Sequence, residues 1–233
     1  MQNLFRKLVE KFFLLKSTII YSQAGEDLIL ARLFFNLNIQ TPTYLDIGAN
    51  DPRYISNTYY FYIRGCRGVC VEPNPHLYKK IRKLRKRDIC INAGIGVENS
   101  SSADFYLFPD YANGLSTFSK ESADYWATVG MEKLGKIHYE KIIKMPLINI
   151  NDLIKNNLDK APTLLSIDVE GLDLEILKSL DFSRYKPTAI CVETLSYNEL
   201  RQEYKTTDVA EFLKGKGYSV YADTRINTIF VAD

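Results

Sequence analysis

Residues 44–50 of the chain are Tyr44-Leu45-Asp46-Ile47-Gly48-Ala49-Asn50, a short apolar run that ends in Asp-x-Gly-Ala-Asn. An apolar strand that leads through small residues into a helix lets backbone N–H groups approach a ligand at the carboxyl edge of a parallel sheet. We expect Asp46 to supply an acceptor for the ammonium group of such a ligand or for a loop amide. Since Asp-x-Gly also occurs in turns that need Gly only for a left-handed backbone, the meaning of this motif depends on the sequence after it.

Strand-like and helix-like segments alternate along the chain. Helices are predicted to open within residues 22–27, at Asp51-Pro52 and at Gly171; the first is predicted to run to about Asn36, and Gly65 is predicted to end the second. This alternation favours a parallel sheet with helices on both faces. The seven predicted strands are residues 43–47, 68–72, 88–92, 163–168, 188–193, 218–223 and 227–232. Only three residues separate the last two strands, which is too few for a crossover, so they must form an antiparallel hairpin.

The length of the chain predicts one domain. Its 233 residues suffice for an α/β domain with a full core, and no Pro-, Gly- or Ser-rich linker divides them. We predict a helical extension at residues 1–20, a single domain at 21–233 and an insertion within it at about 97–150. The insertion contains a strand-like run at 103–108 and another at 142–148. Because loops on a rigid sheet usually select the substrate, we expect the insertion to cover the ligand edge.

Charge and cysteine content exclude two classes of protein. The 30 basic and 28 acidic residues leave a net charge of +2, which provides no global positive field for nucleic acid. The cysteines lie in or beside apolar segments, without the paired spacing of a zinc site. They predict small buried side chains in a reducing compartment. The four are Cys66, Cys70, Cys90 and Cys191.

The first 20 residues combine apolar groups with recurrent charges. Charges from Arg6 to Lys16 interrupt the apolar run too often for a membrane span, and no small-x-small cleavage site follows it. We therefore expect a cytoplasmic protein. A basic amphipathic helix in this segment could lie on an anionic membrane, whereas a helix that covers its own domain or a homodimer partner is the favoured alternative.

The second and third strands also end in residues suited to a ligand. Glu72, followed by Pro73, ends the second strand, where a carboxylate can accept both hydroxyls of a ribose. Asn92 and Ala93 end the third, where small residues would let an adenine ring lie against the backbone. An acid that merely caps the next helix, and an ordinary turn, are the structural alternatives.

Three further acids follow the late strands. Asp168 and Glu170 come just after the fourth strand, and Glu193 ends the fifth. Any of them could accept the proton of a nucleophile, or together they could bind a divalent cation, although no defined metal-binding motif is present. The alternative is that Asp168 orients a ligand and Glu170 caps the following helix. His138 in the insertion is the better candidate of the two histidines for a base.

Together these residues resemble the FkbM family of S-adenosylmethionine-dependent methyltransferases over nearly the whole chain. The resemblance implies the Rossmann-like class I methyltransferase fold and transfer of a methyl group to an oxygen of a sugar or secondary metabolite. It also implies that Asp46, Gly48, Ala49, Asn50 and Glu72 line the cofactor site, that Ser22 and Gln23 close over its methionine end, and that Asp168 and Glu170 lie beside the methyl group. The matching blocks are residues 21–27, 46–52, 56–58, 68–73 and 167–171.

Two other functions compete with methyl transfer to a sugar, glycan precursor or secondary metabolite. A nicotinamide oxidoreductase could share the acids at the ends of the first two strands, but Gly48-Ala49-Asn50 lacks the Gly-x-Gly-x-x-Gly spacing, and the terminal hairpin is also unfavourable to it. A scaffold that binds S-adenosylmethionine or a glycan without catalysis stays open, because the sequence does not identify the base.

Overall fold

The computed structural model describes residues 19–97, 100–130, 135–197 and 203–233. The extension predicted for residues 1–20 lies outside these ranges except for Ile19 and Ile20, which are exposed. Its helix, its membrane contact and its dimer contact therefore stay predictions. None of the helices within the described ranges has the length and apolar run that a bilayer crossing requires.

A seven-stranded sheet forms the centre of the molecule, in the order β11-β12-β8-β7-β1-β2-β3. Neighbours from β8 to β3 are parallel, whereas β12 is antiparallel to both β8 and β11. All seven predicted strands and the terminal hairpin are confirmed. The strands are β1 (Tyr44–Ile47), β2 (Gly68–Val71), β3 (Ile89–Ile91), β7 (Leu164–Ile167), β8 (Ala189–Glu193), β11 (Tyr218–Asp223) and β12 (Asn227–Ala232).

Helices cover both faces of this sheet, as the alternation predicts. On one face the core contains Leu45 and Leu165 together with helices α5, α6 and α7. On the other face Tyr44 and Leu164 pack against α1, α2 and α3. Every residue of β1, β2 and β7 is buried, which is why these strands are almost entirely apolar, apart from Asp46 and Ser166. The helices are α1 (Glu26–Asn36), α2 (Tyr59–Ile63), α3 (Pro75–Leu84), α4 (Lys120–Val129), α5 (Ile150–Asn157), α6 (Asp173–Ser179) and α7 (Asp208–Lys214).

The helix predicted to open within residues 22–27 is confirmed, whereas the start predicted at Asp51 is wrong, and both outcomes have local reasons. The hydroxyl of Ser22 accepts hydrogen bonds from the N–H groups of Gly25 (3.1 Å) and Asp27 (3.3 Å), and Gly25 has a φ of +94°. This turn delays α1 until Glu26. At the second site Asp51 accepts from Arg53 and Tyr54 in a turn rather than at a helix N-terminus.

Helix α2 begins only at Tyr59, because Ile55 has a φ of +54° that interrupts any helix begun at Asp51. The predicted end of this helix is confirmed, since Gly65 follows it with a φ of +92°.

The region between β3 and α5 forms a second, three-stranded sheet in the order β4-β6-β5. Both strand-like runs of the insertion are confirmed as β5 (Ser102–Leu107) and β6 (Lys141–Ile148), which pair antiparallel, while β4 is Gly94–Ile95. A 3₁₀ helix (Asp110–Leu115) and α4 follow β5. The hydroxyl of Thr117 donates to the carbonyl of Glu170 at 3.0 Å, which ties this region to the loop after β7. Two short strands, β9 (Leu195–Tyr197) and β10 (Glu203–Lys205), form a hairpin after β8.

Candidate functional site

The carboxyl ends of β1, β2, β7 and β8 open into a cavity of about 400 Å³, the first cavity. This is the edge at which parallel α/β sheets bind ligands, and the volume lies within the usual range for small-molecule sites. The 3₁₀ helix and Trp126 of α4 contribute to its wall, so the insertion borders the cavity. The predicted site residues in the lining are Gln23, Gly48, Asn50, Glu72, Pro73, Ala93, Asp168, Glu170 and Glu193.

Gly48 permits the close approach of two loops at this edge. Its φ is +80°, and a Cβ atom added to it would lie 1.8 Å from the carbonyl oxygen of Asp168. Its N–H and that of Ala49 both donate to the carbonyl of Val71, at 3.0 and 3.1 Å. A side chain at this position would therefore push the β1 loop away from the β7 loop.

Glu72 presents a buried carboxylate with fixed orientation. One oxygen accepts from the N–H of Asn50 at 2.8 Å, and the other accepts from the N–H of Asn74 at 2.7 Å. Burial raises the pKa of Glu72 to about 7, although these two hydrogen bonds act in the opposite direction. Each oxygen keeps a lone pair, so the carboxylate can accept hydroxyl donors from a ligand in the cavity.

Asp168, Glu170 and Glu193 form a group of carboxylates in the same cavity. One oxygen from each lies within 4.8 Å of the others, and all three side chains are half-buried. Burial, and then repulsion from neighbouring carboxylates, raises the pKa of each well above its usual range. Charges this close are stabilised either by protons held among them or by a bound cation. Asp168, whose pKa is raised to about 7, can therefore accept a proton near neutral pH, and the oxygens of the group are the ligand type that a divalent cation prefers.

A second cavity, of about 410 Å³, adjoins the first. The two cavities have Trp126, Glu170, Glu193 and Leu195 in common. Asp173, at the start of α6, is buried in the second cavity's wall and accepts from the N–H groups of Val169 (3.3 Å) and Gly171 (3.4 Å). Burial raises the pKa of Asp173 to about 6. No sequence pattern indicated this cavity.

Asp46 is outside the lining of the first cavity, so its expected contact with a ligand stays a prediction. Its carboxylate accepts from the hydroxyl of Thr58 and lies 3.7 Å from the guanidinium of the fully buried Arg85. Successive side chains of a strand point to opposite faces, so Asp46 shares the face of Tyr44, towards α2 and α3. It therefore supports β1 from behind the cavity.

Four other predicted residues are also absent from the cavity lining. Ser22 donates to Asp27 at 2.8 Å, and Ala49 packs in the core beside α2. The amide of Asn92 donates to the carbonyls of Glu72 (2.8 Å) and Pro73 (2.9 Å), where it holds the loop after β2. His138 is exposed in the segment before β6. Their expected direct contacts with a ligand therefore lack support from the geometry.

The walls contain residues that the sequence did not single out as ligand contacts. In the first cavity these include Ile55, Tyr111, Leu115, Phe118 and Leu172. The sequence carried one signal for some of them, the polar stretch at residues 113–117, which indicated a loop but no contact.

Comparison with known proteins agrees with the predicted family. The family model described as "Methyltransferase FkbM domain" matches residues 46–220. A search of curated proteins found no match.

Several solved structures are similar to this one. An FkbM methyltransferase from Methylobacillus flagellatus KT superposes with a TM-score of 0.44 and 14% identity over 82% of this chain, which spans only 44% of that protein. A precorrin-6y C5,15-methyltransferase from Geobacter metallireducens GS-15 gives a TM-score of 0.47 and 15% identity over 93% of this chain and 92% of that one. An O-methyltransferase from Bacillus cereus in complex with SAH gives 0.45 and 11% over 91% and 82%.

The family model covers about three quarters of the chain, from the end of β1 into β11, and so includes most of the strands whose ends line the first cavity. The sheet order and the antiparallel β12 are those of the class I methyltransferase fold that the sequence predicts. On the strength of that match, the chain belongs to the FkbM methyltransferase family.

Proposed function

We propose that the protein is an S-adenosylmethionine-dependent methyltransferase and that it methylates a hydroxyl of a sugar, a glycan precursor or a secondary metabolite. The observation that carries this proposal is the first cavity, which extends from Glu72 after β2 to Glu193 at the end of β8. Three strand spacings separate these two strands, about 14 Å, so an elongated ligand can lie across the sheet edge.

The lining suggests where each part of the cofactor would bind. Glu72 would accept the two ribose hydroxyls, because its carboxylate is oriented by two backbone N–H groups and has free lone pairs. Pro73, Leu77 and Ala93 would provide the apolar walls for adenine. Gln23 and Asp168 would lie at the methionine end.

The carboxylate group fits the proton transfer that methylation of a hydroxyl requires. When bound, S-adenosylmethionine supplies an electrophilic methyl group on a sulfonium. As the acceptor oxygen forms its bond to that carbon, the carbon–sulfur bond breaks and its electron pair goes to sulfur. The proton of the hydroxyl then passes to a carboxylate of this group, and Asp168, whose pKa is raised to about 7, suits a base that works near neutral pH better than Glu170 or Glu193, whose pKa values are raised further. His138 is less suitable, because it is exposed and outside both cavity linings.

Calorimetric titration with S-adenosylmethionine, S-adenosylhomocysteine and NAD⁺ tests the cofactor. We expect saturable binding of both adenosyl ligands and a dissociation constant about 10- to 100-fold higher in Glu72→Gln, because hydrogen bonds to a charged group are lost. His76→Ala, an exposed change on the following helix, serves as the control and should bind normally.

Other results would favour the alternatives. Binding of NAD⁺ without either adenosyl ligand would favour an oxidoreductase. Adenosyl binding without turnover of any acceptor, with or without Mg²⁺, would favour a scaffold. Full turnover in both Asp168→Asn and Glu170→Gln would contradict the catalytic assignment.

A further inference from the structure

The second cavity has a strongly acidic lining. It contains six carboxylates, and no Lys, Arg or His is present among the described residues that line it. The whole chain carries a net charge of +2, so this negative lining is a local property. The six are Glu121, Glu170, Asp173, Glu175, Glu193 and Asp208.

The inner carboxylates of this cavity lack partners from the protein. Within the described ranges, no hydrogen bond or ion pair reaches the side chain of Glu170 or Glu193, although both are half-buried. The nearby cation, Lys205, is engaged elsewhere, since its ammonium group bonds to Thr194 at 2.7 Å and to Asp223 at 2.9 Å. Half-buried acids without a counter-ion hold a proton, and they ionise when a cationic group enters the cavity from outside.

The second cavity joins the first at the carboxylate group, where methyl transfer is proposed. Glu170 and Glu193, two members of the carboxylate group, line both cavities, as does Trp126. Trp126 and Tyr125 form an aromatic wall, with ring centroids 5.1 Å apart and planes at 77°. Aromatic rings of this kind bind both the apolar face of a sugar and a cation.

We propose that the second cavity binds the methyl acceptor, and that this acceptor is a small polyhydroxylated compound with an ammonium group, such as an amino sugar. This inference rests on the proposed function and narrows its acceptor. The ammonium group lies among the carboxylates, the sugar ring lies against the Trp126 wall, and the hydroxyl to be methylated faces Glu170 and Glu193. Phosphorylated and carboxylated acceptors are disfavoured, because their charge would meet like charges at close range.

A set of three probes that share one sugar ring tests the charge preference. Methyl glucosaminide carries an ammonium group, methyl glucoside is neutral, and methyl glucuronide is anionic. Binding of each is measured by calorimetry on the full chain saturated with S-adenosylhomocysteine, in EDTA and again in Mg²⁺. We expect the glucosaminide to bind at least about tenfold more tightly than the glucuronide, with the glucoside between them, and its affinity to fall as salt is added.

Variants of the exposed carboxylates test whether the ammonium group of the acceptor binds in the second cavity. Asp208→Asn and Glu121→Gln should each weaken the glucosaminide by about two- to fivefold, the effect of one exposed charge pair, and leave the glucoside and S-adenosylmethionine unchanged. Glu211→Gln is the matched control, since it removes an exposed acid from the same helix outside the cavity lining and should change nothing.

Several results would overturn the inference. They are equal binding of the three probes, no binding of any of them, and preference for the glucuronide. Binding that requires Mg²⁺ and disappears in EDTA would mean that the carboxylates hold a metal ion instead. All of these leave cofactor binding intact, whereas failure of both adenosyl ligands to bind would overturn the proposed function itself.

Discussion

Arg85 is a fully buried cation behind the first strand of the site. Its guanidinium bonds to Asp88 and to Thr58, each at 2.8 Å, and lies 3.7 Å from Asp46. One of its terminal nitrogens, Nη1, is buried without a hydrogen bond. The positive charge of Arg85 compensates for the buried negative charges of Asp46 and Asp88 on this face of the sheet.

Replacement of Arg85 should therefore strongly destabilise the folded protein. Arg85→Met leaves Asp46 and Asp88 buried without a cation, and we expect the free energy of unfolding to fall by about 3 kcal/mol or more in urea denaturation. Arg82→Met, an exposed change in the helix that ends just before Arg85, should stay within about 0.5 kcal/mol. The double variant Arg85→Met/Asp46→Asn should recover part of the loss. An Arg85→Met protein as stable as Arg82→Met would contradict this role.

At the scale of elements, the loop after β1 and the loop after β7 meet at Gly48. The contact depends on the absence of a side chain, because an added Cβ would meet the carbonyl of Asp168 at 1.8 Å. Gly65, at the end of α2, has a similar φ of +92° but nothing within 4 Å of an added Cβ. A side chain at Gly65 would therefore introduce backbone strain alone, whereas a side chain at Gly48 would add a steric clash with Asp168.

Alanine at these two glycines should have different effects. Gly65→Ala should lower the free energy of unfolding by about 1 to 2 kcal/mol, the penalty for a left-handed Ala. Gly48→Ala should cost more than that and should weaken S-adenosylmethionine binding by displacing Asp168. Thermal unfolding and calorimetry would measure both effects. Similar stability and cofactor affinity in the two variants would argue against close packing of the loops.

At the scale of the whole molecule, buried acids with raised pKa values make stability depend on pH. Burial raises the pKa of Glu72 from 4.5 to about 7 and that of Asp173 from 3.8 to about 6, and the pKa values of Asp168, Glu170 and Glu193 are also raised. The folded protein then binds more protons than the unfolded chain from about pH 4 to pH 7 through Glu72 and Asp173, and up to higher pH through Glu193, whose pKa is raised to about 11. Stability from this source is complete below pH 4 and is lost as pH rises through the folded pKa values.

The ligand-free protein should therefore melt at a lower temperature at pH 8 than at pH 5, by at least about 5 °C. Asp168→Asn should raise the melting temperature at pH 8 but not at pH 5, because it removes a repelling charge from the carboxylate group. The same variant should lose activity by about 100-fold or more if Asp168 accepts the proton. Asp159→Asn, an exposed change, is the control. An equal shift of the melting temperature at both pH values would exclude repulsion as the cause.

The predicted sheet agrees closely with the structure, because its signals are local. Strands buried on both faces are mainly apolar, as in β1 and β7, and three residues between β11 and β12 permit only a hairpin. Glu72, Asp168 and Glu193 come together for the same reason, since each follows or ends a strand of one sheet edge.

Other features depend on contacts between distant segments. The sequence placed an acid at position 46, but its partner is Arg85, which the tertiary structure brings to the back of β1. Asp51-Pro52 matches a helix-start pattern, yet Ile55 has a positive φ that a right-handed helix does not permit. The second cavity is built from Glu121, Asp173 and Asp208, which are far apart in the chain.

The amino-acid pattern alone therefore determined the strands, the terminal hairpin, the family and the acids at the sheet edge. These features depend on periodicity and strand ends, which are properties of neighbouring residues. The direction of Asp46, the position of the insertion against Glu170 and the acidic second cavity required the folded chain. Each arises where segments without any shared sequence pattern pack together, and packing is determined by shape and burial over the whole molecule.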